Sequence, residues 1–175
     1  CMAPSRIIAQ ECIAILTTPL LSRFLEQVRG LDEPWCRDIA RQLQALGDDR
    51  VPEIWGVSLN AGEAAAAHRA LTRDVPVRLA DLLRDNTSRD ESLPVLPLLL
   101  LRDERVHLQP AGTALLLAGD QLLFAGGAGS QRQLDLTLQN ANVLDYVLTG
   151  RDRTGGWLWQ KLFAGRPGEE ALRRN

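Results

Sequence analysis

The feature that most constrains the fold of this chain is the stretch 96–101, which contains five leucines, one proline and no polar side chain. A continuous apolar run of this length predicts a β-strand that is buried on both faces. The charged residues 102–105 follow it, and a shorter apolar segment, 106–108, comes next. This order predicts a β-hairpin with a charged turn. The run therefore places a sheet inside the fold, with other parts of the chain covering both of its sides.

Two amphipathic segments near the start of the chain predict a helical hairpin. Apolar residues recur at helical spacing within residues 5–29, and Pro19 breaks or kinks the pattern. A second helix is predicted from Asp32 to residue 46, because acidic residues and Pro34 stand at its start and a glycine follows its end. The long apolar faces of this hairpin pack either on the core of the same chain or on a partner subunit, and we expect a homodimer.

The rest of the chain mixes β-rich and helical patterns, which indicates the α+β class. The further predicted elements are a strand at 51–59, an alanine-rich helix at 63–71, a short helix at 77–83, a polar and mobile loop at 85–92, a last strand at 121–125 and helical residues at 131–148. We expect an N-terminal helical hairpin, a small mixed sheet with flanking helices, and an extra C-terminal helical tail. In the tail, Trp157 and Trp159 either pack back on the domain or anchor on a partner or a membrane surface.

Composition and charge limit the classes of function. The 175 residues are 45% hydrophobic and include 20 basic and 22 acidic side chains, which gives a net charge of −2. This composition is globular, and its charge balance argues against binding to nucleic acid or to an anionic membrane. Cys1, Cys12 and Cys36 match neither a zinc site nor a disulfide framework. No segment reaches the roughly 20 apolar residues of a membrane span, so we expect a soluble chain. The order Cys1-Met2 suggests a piece of a longer protein.

The sequence contains no strong catalytic motif. The glycine cluster at 126–129 matches neither the dinucleotide fingerprint nor the phosphate-binding loop, so a turn is favoured. His68 and His107 have no neighbouring serine or cysteine that suggests a nucleophile–base pair. The acidic clusters lack the spacing of a calcium loop. We therefore expect no catalytic residue, no metal and no cofactor. Arg102 and His107, which lie on the predicted hairpin, are the candidate contacts for an anionic ligand.

A motif that leads into the last strand resembles a known family. The residues that match its pattern are Leu117, Gly119, Asp120 and Leu122, and a strand with a charged tip precedes them. This layout resembles the C-terminal lobe of RCK domains (TrkA-C type), which are cytoplasmic regulators of potassium conductance. The Gly-Asp pair provides a tight turn, and the flanking leucines enter one small core. The resemblance covers roughly residues 4–126. The hairpin tip of the family commonly carries glycine, whereas Asp103 and Glu104 stand at the tip here.

The resemblance implies a domain organisation and a function. Residues 4–49 form a linking and dimerising helical hairpin, and residues 50–130 form a regulatory domain. Residues 131–175 do not belong to the family pattern, and we expect them to form a C-terminal helical extension of unknown role. The implied function is that of a non-catalytic, ligand-sensing domain of a bacterial potassium channel or transport protein, on the cytoplasmic side of the inner membrane. The implied partners are a second copy, an N-terminal nucleotide-binding lobe and a membrane pore of the parent protein, and a small-molecule or ion ligand.

Two alternatives remain open on the sequence. The first is the same regulatory module in an anion or dicarboxylate transporter. The second is a small enzyme whose site lies in residues 86–107, between the polar loop and the hairpin that carries Arg102 and His107.

Overall fold

The computed structural model describes residues 19–46, 52–127 and 129–151. Within these ranges the chain forms six helices and four strands, which confirms the α+β class. The elements in chain order are α1 (Pro19–Val28), α2 (Glu33–Ala45), β1 (Glu53–Ser58), α3 (Ala65–Leu71), α4 (Leu79–Leu82), β2 (Val95–Arg102), β3 (Arg105–Leu108), β4 (Gln121–Gly126), α5 (Ser130–Gln139) and α6 (Ala141–Thr149). The start of the predicted N-terminal helix and the tryptophan pair of the tail lie outside the described residues. None of the described helices is long and apolar enough to cross a membrane.

The four strands form one antiparallel sheet with the order β1-β4-β2-β3. Strand β2 is covered on both faces, since Leu98 and Leu99 are fully buried and Leu100 and Leu101 are nearly so. This confirms the strand that the apolar run predicts. The sequence predicts a mixed sheet, whereas every described strand pair is antiparallel. For β2 and β3 the reason is connectivity, because a two-residue turn joins antiparallel strands and is too short for a parallel crossover.

Helices α1 and α2 cover one face of the sheet. Leu20 and Phe24 of α1 join the leucines of β2 and β4 in one apolar cluster. The ring of Phe24 lies 6.4 Å from that of Trp35 in α2, measured between ring centroids. Within the described residues, helix α1 runs from Pro19 to Val28, and α2 begins after Asp32 as predicted. The described part of the hairpin therefore packs on the sheet of its own chain.

Helices α3 to α6 cover the opposite face of the sheet. Their core includes Trp55, Ala67, Leu79, Phe124, Leu134 and Leu144. Asn140 divides the predicted helix at 131–148 into α5 and α6, because its side-chain oxygen accepts hydrogen bonds from the amides of Asn142 (2.9 Å) and Val143 (3.3 Å). The core continues across residue 130, so α5 and α6 contribute to the interior. The division of the chain into domains at this residue stays a prediction.

The turn between β2 and β3 holds two residues in the left-handed region, Asp103 (φ 47°) and Glu104 (φ 61°). Two positive φ angles in a two-residue hairpin are typical of a type I′ turn, which favours Asn and Gly. We expect Asp103→Gly to be more stable than Asp103→Ala by about 1 kcal/mol, because alanine retains the backbone strain and glycine does not. Urea unfolding of the two variants measures the difference in the free energy of unfolding. Equal values would show that the positive φ at residue 103 causes no backbone strain. The ion pair of Glu104 with Arg23 (2.6 Å) is present in both variants.

Candidate ligand-binding site

Arg102, which the sequence predicts to contact a ligand, is held by a buried carboxylate of the same chain. It ends β2, and its Nε and Nη2 donate to Oδ1 (2.8 Å) and Oδ2 (2.6 Å) of Asp120. Nη2 also donates to the carbonyl oxygen of Leu115 (2.8 Å). The side chain of Asp120 is 1% exposed. The hydrogen bonds with this carboxylate raise the pKa of Arg102, so the guanidinium is always charged and is committed to the fold.

Asp120 also closes the turn that carries the family resemblance. Its Oδ2 accepts a hydrogen bond from the backbone N–H of Leu117 (2.8 Å), and Gly119 adopts a φ of 91°, which glycine tolerates without strain. The backbone of this turn exchanges two hydrogen bonds with Leu59, which follows β1. Arg102, Leu117, Gly119 and Asp120 thus form one unit, here termed the Arg102–Asp120 node. The node joins the ends of β1 and β2 to the start of β4.

His107 lies on the edge strand β3 and is exposed. It pairs with Leu100 of β2, and Arg105 pairs with Arg102 in the same ladder. Because side chains alternate between the two faces of a strand, the structure brings Arg102, Arg105 and His107 to one face of the hairpin. These three residues are here termed the basic face. Its exposed members are Arg105 and His107, because Arg102 is bound to Asp120.

The surroundings of the basic face indicate which ligand chemistry suits it. Leu115, whose carbonyl oxygen accepts a hydrogen bond from Arg102, and Leu117 of the Arg102–Asp120 node are 53% and 52% exposed. Basic groups beside exposed apolar side chains suit a ligand with both an anionic group and an apolar surface. Among the residues that the structure describes, no three His, Cys, Asp or Glu side chains come together as a metal-binding group.

The sequence predicts an exposed, mobile loop at 85–92, whereas the structure ties this segment to α5 and α6. Arg89 donates to the carbonyl oxygen of Val147 (2.9 Å), and Asn86 donates to that of Gln133 (3.3 Å). Asn86 and Arg89 are accordingly half-buried. These partners lie 58 and 47 residues further along the chain, so the local composition carries no sign of them. The loop is part of the helical layer.

The polar loop and the hairpin lie at opposite ends of β2. The loop precedes β2, and Arg102 is the last of its eight residues. Eight residues of strand span roughly 26 Å. An enzyme site shared by residues 86–92, Arg102 and His107 would need these groups close together. Among the described residues, no hydrogen bond joins residues 86–92 to Arg102 or His107, and the enzyme alternative stays a prediction.

Asp85 organises the polar loop and makes its stability depend on pH. Its Oδ1 accepts hydrogen bonds from the hydroxyl (2.5 Å) and amide (2.7 Å) of Thr87 and from the amide of Ser88 (3.1 Å). These bonds, above all those from Thr87, lower the pKa of Asp85. A lowered pKa in the folded state contributes stability above the unfolded value, near pH 3.9, and this contribution is lost as pH falls through the folded value.

We therefore expect Asp85→Asn to be less stable than the wild type at pH 7 and to lose less stability below about pH 4. Thermal unfolding of both proteins between neutral pH and roughly pH 3 measures this convergence. Asp90→Asn, at an exposed position of the same loop, is the control and should follow the wild type. A constant difference between Asp85→Asn and the wild type over this range would contradict the role of the carboxylate.

A groove between α3 and α6 is a second candidate site, which the sequence analysis missed. Its volume is about 340 Å³. Ala66, Ala70, Leu144 and Leu148 are among the apolar residues that line it, and Arg69, Arg73, Asn142 and Asp145 are among the polar ones. The alanine-rich composition of α3 was a partial signal, because small side chains leave space beside a neighbouring helix. The partner helix, however, lies far along the chain and cannot be recognised from α3 alone.

Comparisons with known proteins show no family for this chain. No family model matches it, and no curated protein matches it. Among solved structures it is similar to S. agalactiae BusR in complex with its busAB-promotor DNA, with 9% sequence identity and a TM-score of 0.30. The similarity covers 80% of this chain and 58% of the BusR chain. A likeness at this level carries no argument about function.

The partner prediction from the sequence nevertheless needs correction. It excluded nucleic acid, whereas the similar structure is a complex with promoter DNA. The physical fault lies in using the net charge of −2, which sums over the whole chain. Local groups such as Arg105 and His107 on the basic face are not represented in that sum. The net charge of the whole chain therefore does not by itself exclude nucleic acid as a partner.

Proposed function

We propose that this chain is a non-catalytic, ligand-sensing regulatory domain of a potassium channel or potassium transport protein, placed on the cytoplasmic side of the membrane. The observation that carries the proposal is the Arg102–Asp120 node. Three of the four residues on which the RCK resemblance rests, Leu117, Gly119 and Asp120, belong to it. The fourth, Leu122, is fully buried in the neighbouring core. The motif therefore has a physical role in this chain.

The proposed mechanism begins at the exposed part of the basic face. An anionic ligand bound to Arg105 and His107 would rest on the hairpin, whose closing pair includes Arg102. The node connects this hairpin with β1 and β4 through hydrogen bonds. A ligand shifts a protein between two conformations only when it binds them unequally. In this proposal the basic face provides the unequal contact, and the node carries the change into the sheet.

The test measures potassium flux through the parent protein in liposomes, with phenyl phosphate as an anionic probe that also has an apolar surface and is not a nucleotide. We expect phenyl phosphate to change the flux of the wild type and to have no effect on Arg105→Ala/His107→Ala. The control variant is Arg132→Ala, an exposed arginine of α5, which should respond to phenyl phosphate like the wild type. A parent protein that carries no potassium, or an equal response in the double variant, would overturn the proposal.

A second candidate function is regulation of an anion or dicarboxylate transporter by the same module. The exposed Arg105 and His107 favour it, since a basic face suits an anion that is itself the transported species. Succinate uptake into the same liposomes distinguishes the two candidates. Succinate uptake without potassium flux would favour this second function.

A further inference from the structure

The α3–α6 groove is apolar at its base and bears charges around it. Ala66 and Leu144 are buried, and Ala70 and Leu148 are half-buried. The volume of about 340 Å³ lies at the lower end of the range of pockets that enclose a small organic molecule. A site of this size and composition suits one or two large apolar side chains.

Helix α6 ends beside this groove. Leu148, in the last turn of α6, lines it. Gly150 closes the helix with a φ of 74° and donates its N–H to the carbonyl oxygen of Tyr146 (2.7 Å). Arg89 holds the same turn through its hydrogen bond to Val147. The chain therefore leaves α6 from a fixed point next to the groove.

The sequence beyond this point has the length and chemistry to fill the groove. Outside the described residues, the tail carries five large apolar side chains at Trp157, Leu158, Trp159, Leu162 and Phe163. The nine residues of α6 are about 14 Å long, whereas six extended residues reach roughly 20 Å. Trp157, six residues after Arg151, can therefore reach any part of the groove.

We propose that the segment 157–163 docks into the α3–α6 groove of its own chain, with Trp157 and Trp159 against the apolar base. The connection through α6 keeps the tail at an effective concentration of the order of millimolar, so a weak contact suffices. The charges around the groove are mixed, with Arg69, Arg73 and Asp145, and the docking segment carries one charge, Lys161, so the docking rests on the apolar contact and the length of the connection. This inference is independent of the proposed function.

The experiment uses the full chain labelled with 5-fluorotryptophan and observed by ¹⁹F NMR, each signal being assigned by a Trp→Phe substitution. We expect the indoles of Trp157 and Trp159 to be protected from solvent, with small shifts between H₂O and D₂O. Ala70→Glu places a carboxylate beside the apolar base of the groove. In this variant we expect Trp157 and Trp159 to lose their protection, while the signal of the buried Trp55 does not move.

Two further samples separate docking from unfolding. Leu136→Glu, at an exposed position of α5, is the control and should leave the signals of Trp157 and Trp159 unchanged. The reciprocal variant Trp157→Ala/Trp159→Ala leaves the groove intact, and its amides in α3 and α6 should exchange hydrogen faster than in the wild type. Amides of β2 and β4 should exchange at the wild-type rate.

Several results would overturn the proposal. One is a wild type in which the indoles of Trp157 and Trp159 are solvent-exposed. Another is a Trp157→Ala/Trp159→Ala variant whose amides in α3 and α6 exchange hydrogen at the wild-type rate. Protection that disappears on dilution would assign the groove to the tail of a second copy, and protection that requires added lipid vesicles would assign the tryptophans to a membrane surface.

Discussion

Replacing Arg102 by alanine is expected to lower the free energy of unfolding by about 3 kcal/mol. The substitution removes the ion-pair partner of the Asp120 carboxylate, whose side chain is 1% exposed. A buried charge that loses its partner keeps the cost of desolvation without the compensating attraction. The hydrogen bond from Arg102 to the carbonyl oxygen of Leu115 is lost as well. Urea unfolding, followed by circular dichroism, measures the change.

Two other variants show whether the loss comes from the buried pair. Arg105→Ala removes the exposed cross-strand neighbour of Arg102 and should change the free energy of unfolding by no more than about 0.5 kcal/mol. Arg102→Met/Asp120→Leu removes both charges and should be more stable than Arg102→Ala, because no unpaired carboxylate remains buried. If Arg102→Ala and Arg105→Ala were equally stable, the node would have no structural role.

This expected loss also decides how a ligand site on the hairpin must be tested. A missing ligand response in Arg102→Ala would follow from the damaged node, whether or not Arg102 touches a ligand. Arg105 and His107 are exposed and have no part in the node. Their substitution therefore tests ligand binding without the same cost in stability.

The parts of the fold that could be predicted from the sequence are those that depend on local patterns. The apolar run at 96–101 is sufficient for the buried strand, because no polar residue interrupts it. Asp32 and Pro34 mark the start of α2, since both residues favour a helix N-terminus. Asn140 carried a similar local signal as an N-cap, and it divides the helical stretch that periodicity alone joins into one.

The sequence could predict where the candidate site lies, but it could not predict that Arg102 is paired with a buried carboxylate. The sequence put Arg102 and His107 on one hairpin, and the strand register of the structure places both on the same face of it. The commitment of Arg102 to Asp120, however, depends on how β2 lies against β4. The pairing of Leu101 with Gln121 brings the two charged residues together, and they are 18 positions apart in the chain. As part of a Gly-Asp turn, Asp120 gave no sign that it is buried.

The α3–α6 groove and the contacts of the polar loop could not be predicted for the same reason, because both depend on tertiary packing. Helices α3 and α6 meet only because both pack on one face of the sheet. The bonds of Arg89 to the last turn of α6 likewise depend on tertiary packing. Hydrophobic periodicity identifies the face that a helix buries, and it does not identify the neighbour on that face.

Replacing Gly126 by alanine is expected to lower the free energy of unfolding by about 2 kcal/mol, because the packed core has no space for a methyl group. A Cβ at this position would lie 2.6 Å from Cη2 of Trp55 and 3.2 Å from the carbonyl oxygen of Pro94. Gly126 lies at the end of β4, paired with Glu53 on one side and Val95 on the other, so the backbone has little freedom to move away.

The clash with Trp55 can be isolated by a double-mutant cycle. Phenylalanine lacks the outer ring atoms of tryptophan, so Gly126→Ala should cost about 1 kcal/mol less in a Trp55→Phe background than in the wild type. Trp55→Phe removes no hydrogen bond among the described residues, since the buried Nε1 of Trp55 has no partner there. Gly30→Ala is the matched control, because its Cβ would meet only an ordinary contact at 3.8 Å. An equal cost of Gly126→Ala in both backgrounds would show that the strain comes from the Pro94 carbonyl and the β4 backbone, and not from the tryptophan ring.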